Sequence, residues 1–280
     1  MGNGNLDTTV AIRRLQTVEE LTLVQELEKI IWAEDSAIPI HQTVTAVKNG
    51  GMVLGAFADE RLIGFQYSFA GFDGKRAYLC SHALGIHPDY RIGGIGEKLK
   101  WAQREEALNI GYDLITWTYD PLETVNGNLN IRKLGAICSH YIENCYGEMK
   151  DILNGGIPSD RFLVKWWITS DRVERRVNRV EVSADEERSF DIPALIDVEV
   201  NQQGKPVPFA RDVIPDASVE RLLVPVPAAF QKIKEQDLAL ARSWRMVTRS
   251  VCTQYFQSGW QVADFIKTTG HVHYYVLQKQ

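Results

Sequence analysis

The chain has 280 residues, of which 45% are hydrophobic and 24% are charged, and its formal net charge is −5. This composition is that of a globular protein with room for two modest domains, and it excludes disordered and low-complexity classes. The acidic balance argues against general binding to nucleic acid, which requires a clustered basic surface, and leaves open only a local basic patch. We therefore predict no nucleic-acid partner.

The same inspection predicts a cytoplasmic protein without a membrane partner. No apolar run reaches the roughly 20 residues that cross a bilayer. The first ten residues lack the charged and apolar blocks of a signal peptide. The 4 cysteines are scattered and lack the paired spacing of a zinc site, so we expect reduced thiols and no metal site.

The first third of the chain alternates between strand and helix patterns. Residues 10–15 read as a strand, and Thr17 and Glu20 have the spacing of a capping box for a helix over 17–32. A short helix is predicted over 42–49. Strands follow over 52–59, 62–69 and 77–86, and their short connections predict an antiparallel meander.

A longer helix is predicted over 94–109, followed by a short strand over 114–118. This crossover predicts parallel pairing between the strand over 77–86 and the strand over 114–118. Ile95, Leu99 and Ala102 form the predicted apolar face of the helix. Four charged residues are expected largely elsewhere: Lys98, Lys100, Arg104 and Glu105.

The later elements suggest a second domain with a repeated ending. We predict a helix over 125–134 and strands over 136–141 and 162–168, then a charged boundary that separates a domain of residues 1–175 from one of residues 185–280. The second domain is predicted to contain strands over 196–200, 222–226, 260–266 and 271–277 and a long helical region over 228–257. Its last helix, glycine and two strands repeat the order seen over 125–168, which predicts a degenerate internal repeat.

The glycine turn (residues 91–96) joins a predicted strand to a predicted helix. The first N–H groups of a helix have no intrahelical partner and attract anions, and glycines let a phosphate approach the backbone. A P-loop is excluded because Glu97-Lys98 follows the last glycine. A dinucleotide-binding fingerprint is excluded because Leu99 stands where its third glycine belongs. A purely architectural tight turn is the remaining alternative to phosphate binding.

The pattern Arg91-x-x-Gly94-x-Gly96, with the preceding 84–91 segment, resembles the cofactor turn of GNAT N-acetyltransferases. The resemblance covers roughly residues 10–170, and Lys133-Leu-Gly-Ala136 resembles the later Leu-Gly step of the family. The asparagine-rich 126–130 segment and the tandem second half resemble an uncharacterised bacterial branch. The resemblance implies an α/β (α+β) fold with a mixed, mostly antiparallel sheet flanked by helices, plus a smaller, degenerate GNAT-like domain.

By this resemblance, the turn would bind the diphosphate of acetyl-CoA or another acyl-CoA. The pantetheine arm would lie where the strand over 77–86 separates from the strand over 114–118. Helix capping is the alternative role for Asn126. The implied cofactor-binding residues are Leu84, Ile86, Arg91, Ile92, Gly93, Gly94, Ile95, Gly96, Asn126, Asn130 and Lys133.

Acyl transfer to an amine needs a polarised thioester, a base and an acid. The resemblance assigns the first task to the backbone N–H of Leu84. Unbroken alternation would place Cys80, His82, Leu84 and Ile86 on one strand face, which makes His82 the candidate base. The family's tyrosine acid would fall on Ile131, so Tyr119, Tyr141 and solvent remain candidates. Asp120 and Glu123 are candidates to hold a cationic amine.

These features predict transfer of an acetyl or other acyl group from acyl-CoA to a small-molecule or peptide amine in a ternary complex. The alternatives are a non-catalytic acyl-CoA sensor, favoured by the missing tyrosine, and a partner-binding scaffold in which the glycines are only architectural. A homodimer is a possible assembly.

Overall fold

The computed structural model describes residues 10–32, 37–91, 93–148, 155–178, 192–211 and 219–280. Contacts divide the chain into two compact units, Met1–Trp117 (unit 1) and Thr118–Gln280 (unit 2). This division falls at Trp117, whereas the predicted domains were 1–175 and 185–280. The predicted linker lies mostly in 179–191, outside the described residues, and the two predicted domains stay a prediction.

Unit 1 contains a meander of antiparallel strands, three helices and the start of a fifth strand. In chain order these are β1 (Val10–Leu15), α1 (Val18–Trp32), α2 (Ile40–Lys48), β2 (Met52–Ala58), β3 (Arg61–Phe72), β4 (Ala77–Ile86), α3 (Ile95–Asn109) and β5 (Leu114–Tyr119). The strand order is β1-β2-β3-β4-β5, and only the β4/β5 pairing is parallel. The mixed, mostly antiparallel sheet that was predicted is therefore confirmed in this unit.

Both faces of this sheet are covered by helices. Leu21, Val24 and Leu27 of α1 pack in one buried cluster with Phe65 and Tyr67 of β3. The predicted capping box of α1 is confirmed, since Glu20 N–H donates to Thr17 Oγ1 (3.2 Å) and Thr17 N–H donates to Glu20 Oε2 (3.1 Å). The other face of the sheet packs against α3.

Unit 2 starts within β5 and contains four more helices, seven further strands and a π-helical segment. In chain order these are α4 (Thr124–Gly127), the π-helical segment Asn128–Lys133, β6 (Ile137–Ile142), β7 (Arg161–Trp167), α5 (Asp171–Val177), β8 (Ile196–Val200), β9 (Pro206–Ala210), β10 (Arg221–Pro227), α6 (Phe230–Gln236), α7 (Leu238–Gln257), β11 (Trp260–Ile266) and β12 (Val272–Lys279). The larger strand group has the order β7-β6-β11-β12-β10, and β8 and β9 form a separate hairpin.

The register within unit 2 supports the predicted internal repeat. β6 pairs antiparallel with β7, β11 pairs antiparallel with β12, and β6 meets β11 at Cys138 and Val262. Each hairpin has a bulge directly after these two residues, between Cys138 and His140 and between Val262 and Asp264. The two hairpins therefore share the same pairing and bulge positions, and β6 and β11 belong to one strand group despite the boundary predicted between them.

Candidate functional site

The glycine turn begins α3 in a backbone conformation that favours glycine. Gly93 has φ of +123° and Gly94, the N-cap of the helix, has φ of +71°. A Cβ added to either residue would have no atom within 4 Å, so open space lies directly over the turn. The helix α3 is 15 residues long and begins at this turn, so the positive end of its dipole faces the opening. The geometry is that of an anion cradle.

The edge of β4 beside this cradle is largely unpaired. β4 and β5 pair only at Leu79 with Ile115 and at Cys80 with Thr116. Within the described residues of unit 1, the β4 edge from Ser81 to Ile86 therefore has no strand partner on the side of β5. The predicted separation of these two strands is present, and it leaves main-chain groups of β4 open to a ligand.

Four residues of the predicted cofactor set lie together on the α3 side of β4. Ile86 and Ile95 pack over Gly64, where an added Cβ would lie 2.8 Å from Ile86 Cδ1 and 3.4 Å from Ile95 Cγ2. A Cβ on Gly96 would lie 3.5 Å from Leu84 Cδ2. Arg91 is exposed at the start of the turn, and Ile92 lies outside the described residues.

The predicted alternation along β4 is wrong, because a β-bulge interrupts it. Tyr67 pairs with Ala83 and Ser68 pairs with Ser81, so His82 is the additional residue that lacks a partner on β3. His82 contacts the rings of Tyr67 and Phe69, with ring centroids 5.9 and 5.6 Å away. It therefore lies on the face opposite Leu84 and Ile86, and Cys80 does not share a face with them either.

His82 nevertheless retains properties that suit a base. Its side chain is exposed, yet Tyr67 and Phe69 cover part of the ring. This partial desolvation lowers its pKa below the usual value, so the imidazole is neutral near pH 7. Cys80 is a weaker candidate, because burial raises the pKa of its thiol.

A buried polar cluster between α3 and the sheet was missed by the sequence prediction. Lys100 was expected on the outer side of α3, but it is 3% exposed, and Arg104 is also buried. Lys100 Nζ donates to Ser81 Oγ (2.7 Å) and Gln103 Oε1 (3.2 Å). Gln66 and Ser68 of β3 complete the cluster through bonds to Ser81 and Gln103.

Burial controls the charge of Lys100. Desolvation lowers its pKa to about 7, and no carboxylate pairs with Nζ among the described residues of unit 1. Nζ also lies 3.6 Å from the centroid of the Trp117 ring. Polar residues at inward-facing positions of β3 and β4 could have indicated from the sequence that α3 buries a polar side chain.

The remaining predicted cofactor residues lie in unit 2. Asn126 is exposed within α4, whose N-cap is Glu123, so the capping role considered for Asn126 is wrong. Asn130 is 4% exposed and Lys133 is exposed, both in the π-helical segment. Single π-helical turns occur often at functional sites. The roles of Asn126, Asn130 and Lys133 stay predictions.

Tyr141, a candidate acid, is held in a cluster within unit 2. Its hydroxyl donates to Asp160 Oδ2 at 2.7 Å, and burial raises its pKa well above the usual value. Asp160 also accepts from Arg249 Nε (2.8 Å) and Nη2 (2.7 Å). These contacts favour a structural role for Tyr141. Tyr119 is also engaged, since its hydroxyl donates to that of Tyr275 at 3.3 Å.

Asp120, considered as a site for a cationic amine, already has cationic partners. Arg245, which is 0% exposed, contacts both oxygens of Asp120, with Nη1 at 2.9 Å from Oδ1. Arg161 Nη1 lies 3.8 Å from Oδ2. Burial raises the pKa of Glu123, and its carboxylate accepts from Gln231. The expectation that Asp120 is free to bind substrate is therefore wrong.

Two further findings concern the part of the chain that the structure describes. It contains no group of three or more His, Cys, Asp and Glu side chains arranged to hold a metal ion. None of its helices combines the length and apolar character needed to cross a membrane.

The solved structures similar to this chain include acetyltransferases, two of which are described as members of the GNAT family. They include Arabidopsis thaliana Naa50 bound to a bisubstrate analogue (14% identity, TM-score 0.45, covering 56% of this chain and 97% of that one). The Escherichia coli ribosomal-protein-S18-alanine N-acetyltransferase is also similar, with 13% identity and a TM-score of 0.47, and the match covers 58% of this chain and 96% of that one. A third similar structure is that of yncA, a putative acetyltransferase from Salmonella typhimurium with acetyl-CoA. It has 15% identity and a TM-score of 0.46, and the match covers 58% of this chain and 95% of that one. No family model matches the sequence, and no curated protein does.

Proposed function

We propose that the chain transfers an acetyl or other acyl group from acyl-CoA to an amine. The observation that carries the proposal is the open cradle over Gly93 and Gly94, at the start of α3 and beside the unpaired edge of β4. A diphosphate fits the cradle in charge and in backbone access. The unpaired edge offers main-chain groups to a pantetheine arm.

In this proposal the residues of the chain divide three tasks. The cradle and Arg91 bind the diphosphate, and the Leu84 N–H donates to the thioester oxygen, where negative charge develops. His82 accepts the amine proton as the new C–N bond forms and the C–S bond breaks. The departing thiolate takes a proton from solvent, because Tyr119 and Tyr141 donate their hydroxyl protons within the protein.

Acetyl-CoA binding and CoA release separate the enzyme from its alternatives. We expect calorimetry to show acetyl-CoA binding, and a thiol assay with a panel of small-molecule and peptide amines to show acyl-dependent CoA release. Binding without release for any amine would support a non-catalytic sensor. Absence of both binding and thermal stabilisation by acetyl-CoA would support a partner-binding scaffold.

His82→Gln is expected to lower the transfer rate by roughly 10²-fold while the affinity for acetyl-CoA stays unchanged. Because desolvation lowers the His82 pKa, the wild-type rate at saturating acetyl-CoA should be flat above pH 7 and should fall in acid as the imidazole is protonated. Steady-state rates from pH 5 to 9 test this expectation. An acid limb that persists unchanged in His82→Gln would assign the base to another group.

A further inference from the structure

Lys100 lies where β4 and β5 separate. The last parallel pair is Cys80 with Thr116, and Ser81 and Trp117 are the next residues on the two strands. Lys100 Nζ bonds to Ser81 Oγ at 2.7 Å and lies 3.6 Å from the Trp117 ring centroid. One buried amine thus contacts both strands at the base of the gap in which the pantetheine arm is proposed to lie.

The amine is surrounded by groups that hold it without neutralising it. Ser81 and Gln103 are oriented by further bonds to Gln66 and Ser68 of β3, so both acceptors are fixed. A charged Nζ interacts more strongly than a neutral one with the face of Trp117 and with the oxygens of Ser81 and Gln103. Protonation of Lys100 would therefore tighten the contacts that join β4, β5 and α3.

Within the described residues of unit 1, the titratable groups next to Lys100 belong to β4 and α3, and the His82 ring, although it follows Ser81 in the chain, lies on the opposite face of the sheet. On β4, the Cys80 thiol interacts electrostatically with Lys100 from the other face of the sheet, and burial raises the pKa of that thiol. α3 carries Glu97 and Arg104 one turn away on either side. The Trp117 ring faces Lys100 from β5, while Gln66 and Ser68 of β3 bond to its acceptors Ser81 and Gln103, and these side chains are neutral. Desolvation holds the Lys100 pKa at about 7.

We propose that Lys100 is a positioning residue that couples proton uptake to acyl-CoA binding. The inference rests on the proposed function. Lys100 is four residues beyond Gly96 on α3, which is about 6 Å along the helix. A diphosphate at the glycine turn brings negative charge near the amine and favours its protonated form. The protonated form in turn fixes the separation of β4 and β5 that the ligand needs.

In this proposal, the complex with acetyl-CoA holds more protons than the free protein. By linkage, the affinity for acetyl-CoA must therefore fall as pH rises through the Lys100 pKa. We expect the affinity for acetyl-CoA to fall roughly tenfold between pH 6.5 and 9. The number of protons taken up is measured by calorimetry at pH 7.5 in buffers that differ in ionisation enthalpy. The ligand's own phosphate monoester contributes equally to every variant.

Lys100→Met keeps the length of the side chain and removes the amine. We expect this variant to bind acetyl-CoA with less proton uptake and a flatter pH profile, whereas Lys48→Met, at an exposed position of α2, should behave as wild type. Ser81→Ala removes one acceptor of the protonated amine and should move the uptake maximum to lower pH. A merely structural role for the cluster would leave proton uptake unchanged.

A measurement without ligand tests the titration itself. The folded pKa of about 7 is below the unfolded value, so the charged amine destabilises the fold most below pH 7, and this cost disappears towards pH 10.5. The urea midpoint of Lys100→Met should exceed that of the wild type at pH 6, and the difference should shrink at pH 9.5. If Lys100→Met fails to fold, the shift in the Ser81→Ala uptake maximum decides.

Two outcomes overturn the inference in distinguishable ways. Acetyl-CoA binding with equal proton uptake in the wild type and Lys100→Met would refute the coupling and leave the proposed function standing. Failure of the wild type to bind acetyl-CoA at all would remove both.

Discussion

Gly94→Glu is expected to weaken acetyl-CoA binding by at least roughly 100-fold. The new side chain would start in the open space over the turn, where a Cβ has no atom within 4 Å. Its carboxylate would then occupy the proposed diphosphate site, and two like charges about 4 Å apart near a protein surface repel by about 4 kcal/mol. Calorimetric titration of the wild type and the variant measures the loss.

The backbone itself offers a matched control in Gly74. This residue has φ of +90°, has no atom within 4 Å of an added Cβ, and lies in the exposed turn between β3 and β4. Gly74→Glu therefore adds the same charge and a comparable backbone strain away from α3. We expect both variants to lose a similar amount of thermal stability, and only Gly94→Glu to lose acetyl-CoA. Equal affinities in the wild type and Gly94→Glu would count against the cradle.

The elements of unit 1 could be predicted because their patterns are local. The capping box at Thr17 and Glu20 and the crossover through α3 each depend on residues close in sequence. The positive φ values of the glycine turn were predictable for the same reason, since glycine spacing indicates where positive φ is allowed. The structure adds that the space above Gly93 and Gly94 is open.

The incorrect sequence predictions have a common physical origin, because each depended on contacts between distant segments. The bulge at His82 depends on the register of β4 against β3, so the extrapolated alternation placed His82 and Leu84 on the same face. Lys100 was assigned outward because charged side chains are seldom buried. Its burial is possible because Gln66, Ser68 and Ser81 face it from the sheet.

Unit 2 shows the same division between local and distant information. The repeated order of helix, glycine and two strands predicted the internal repeat, while β9 was missed because its two prolines disfavour a strand. The partners Asp120 and Arg245 are 125 positions apart, so no sequence pattern joined them. The sequence analysis therefore considered the Asp120 carboxylate as a substrate-binding group, although Arg245 of α7 forms an ion pair with it.

This ion pair leads to the largest expected effect on stability. Asp120→Ala leaves Arg245, a 0% exposed side chain, without its carboxylate, and breaking such a buried pair costs about 3–5 kcal/mol. We expect a lower urea midpoint and faster amide hydrogen exchange along α7. Exchange is the more specific readout, because a chain of two compact units need not unfold in one step.

The double variant Asp120→Ala/Arg245→Met should recover most of the loss, because an apolar side chain of similar length carries no buried charge. Asp197 supplies the exposed control: it lies 3.7 Å from Arg211, and the two side chains are 58% and 46% exposed. Asp197→Ala should cost less than about 1 kcal/mol, since solvent screens such pairs. Comparable losses for Asp120→Ala and Asp197→Ala would mean that Arg245 finds solvent or another partner, and Asp120 would again be available to bind an amine.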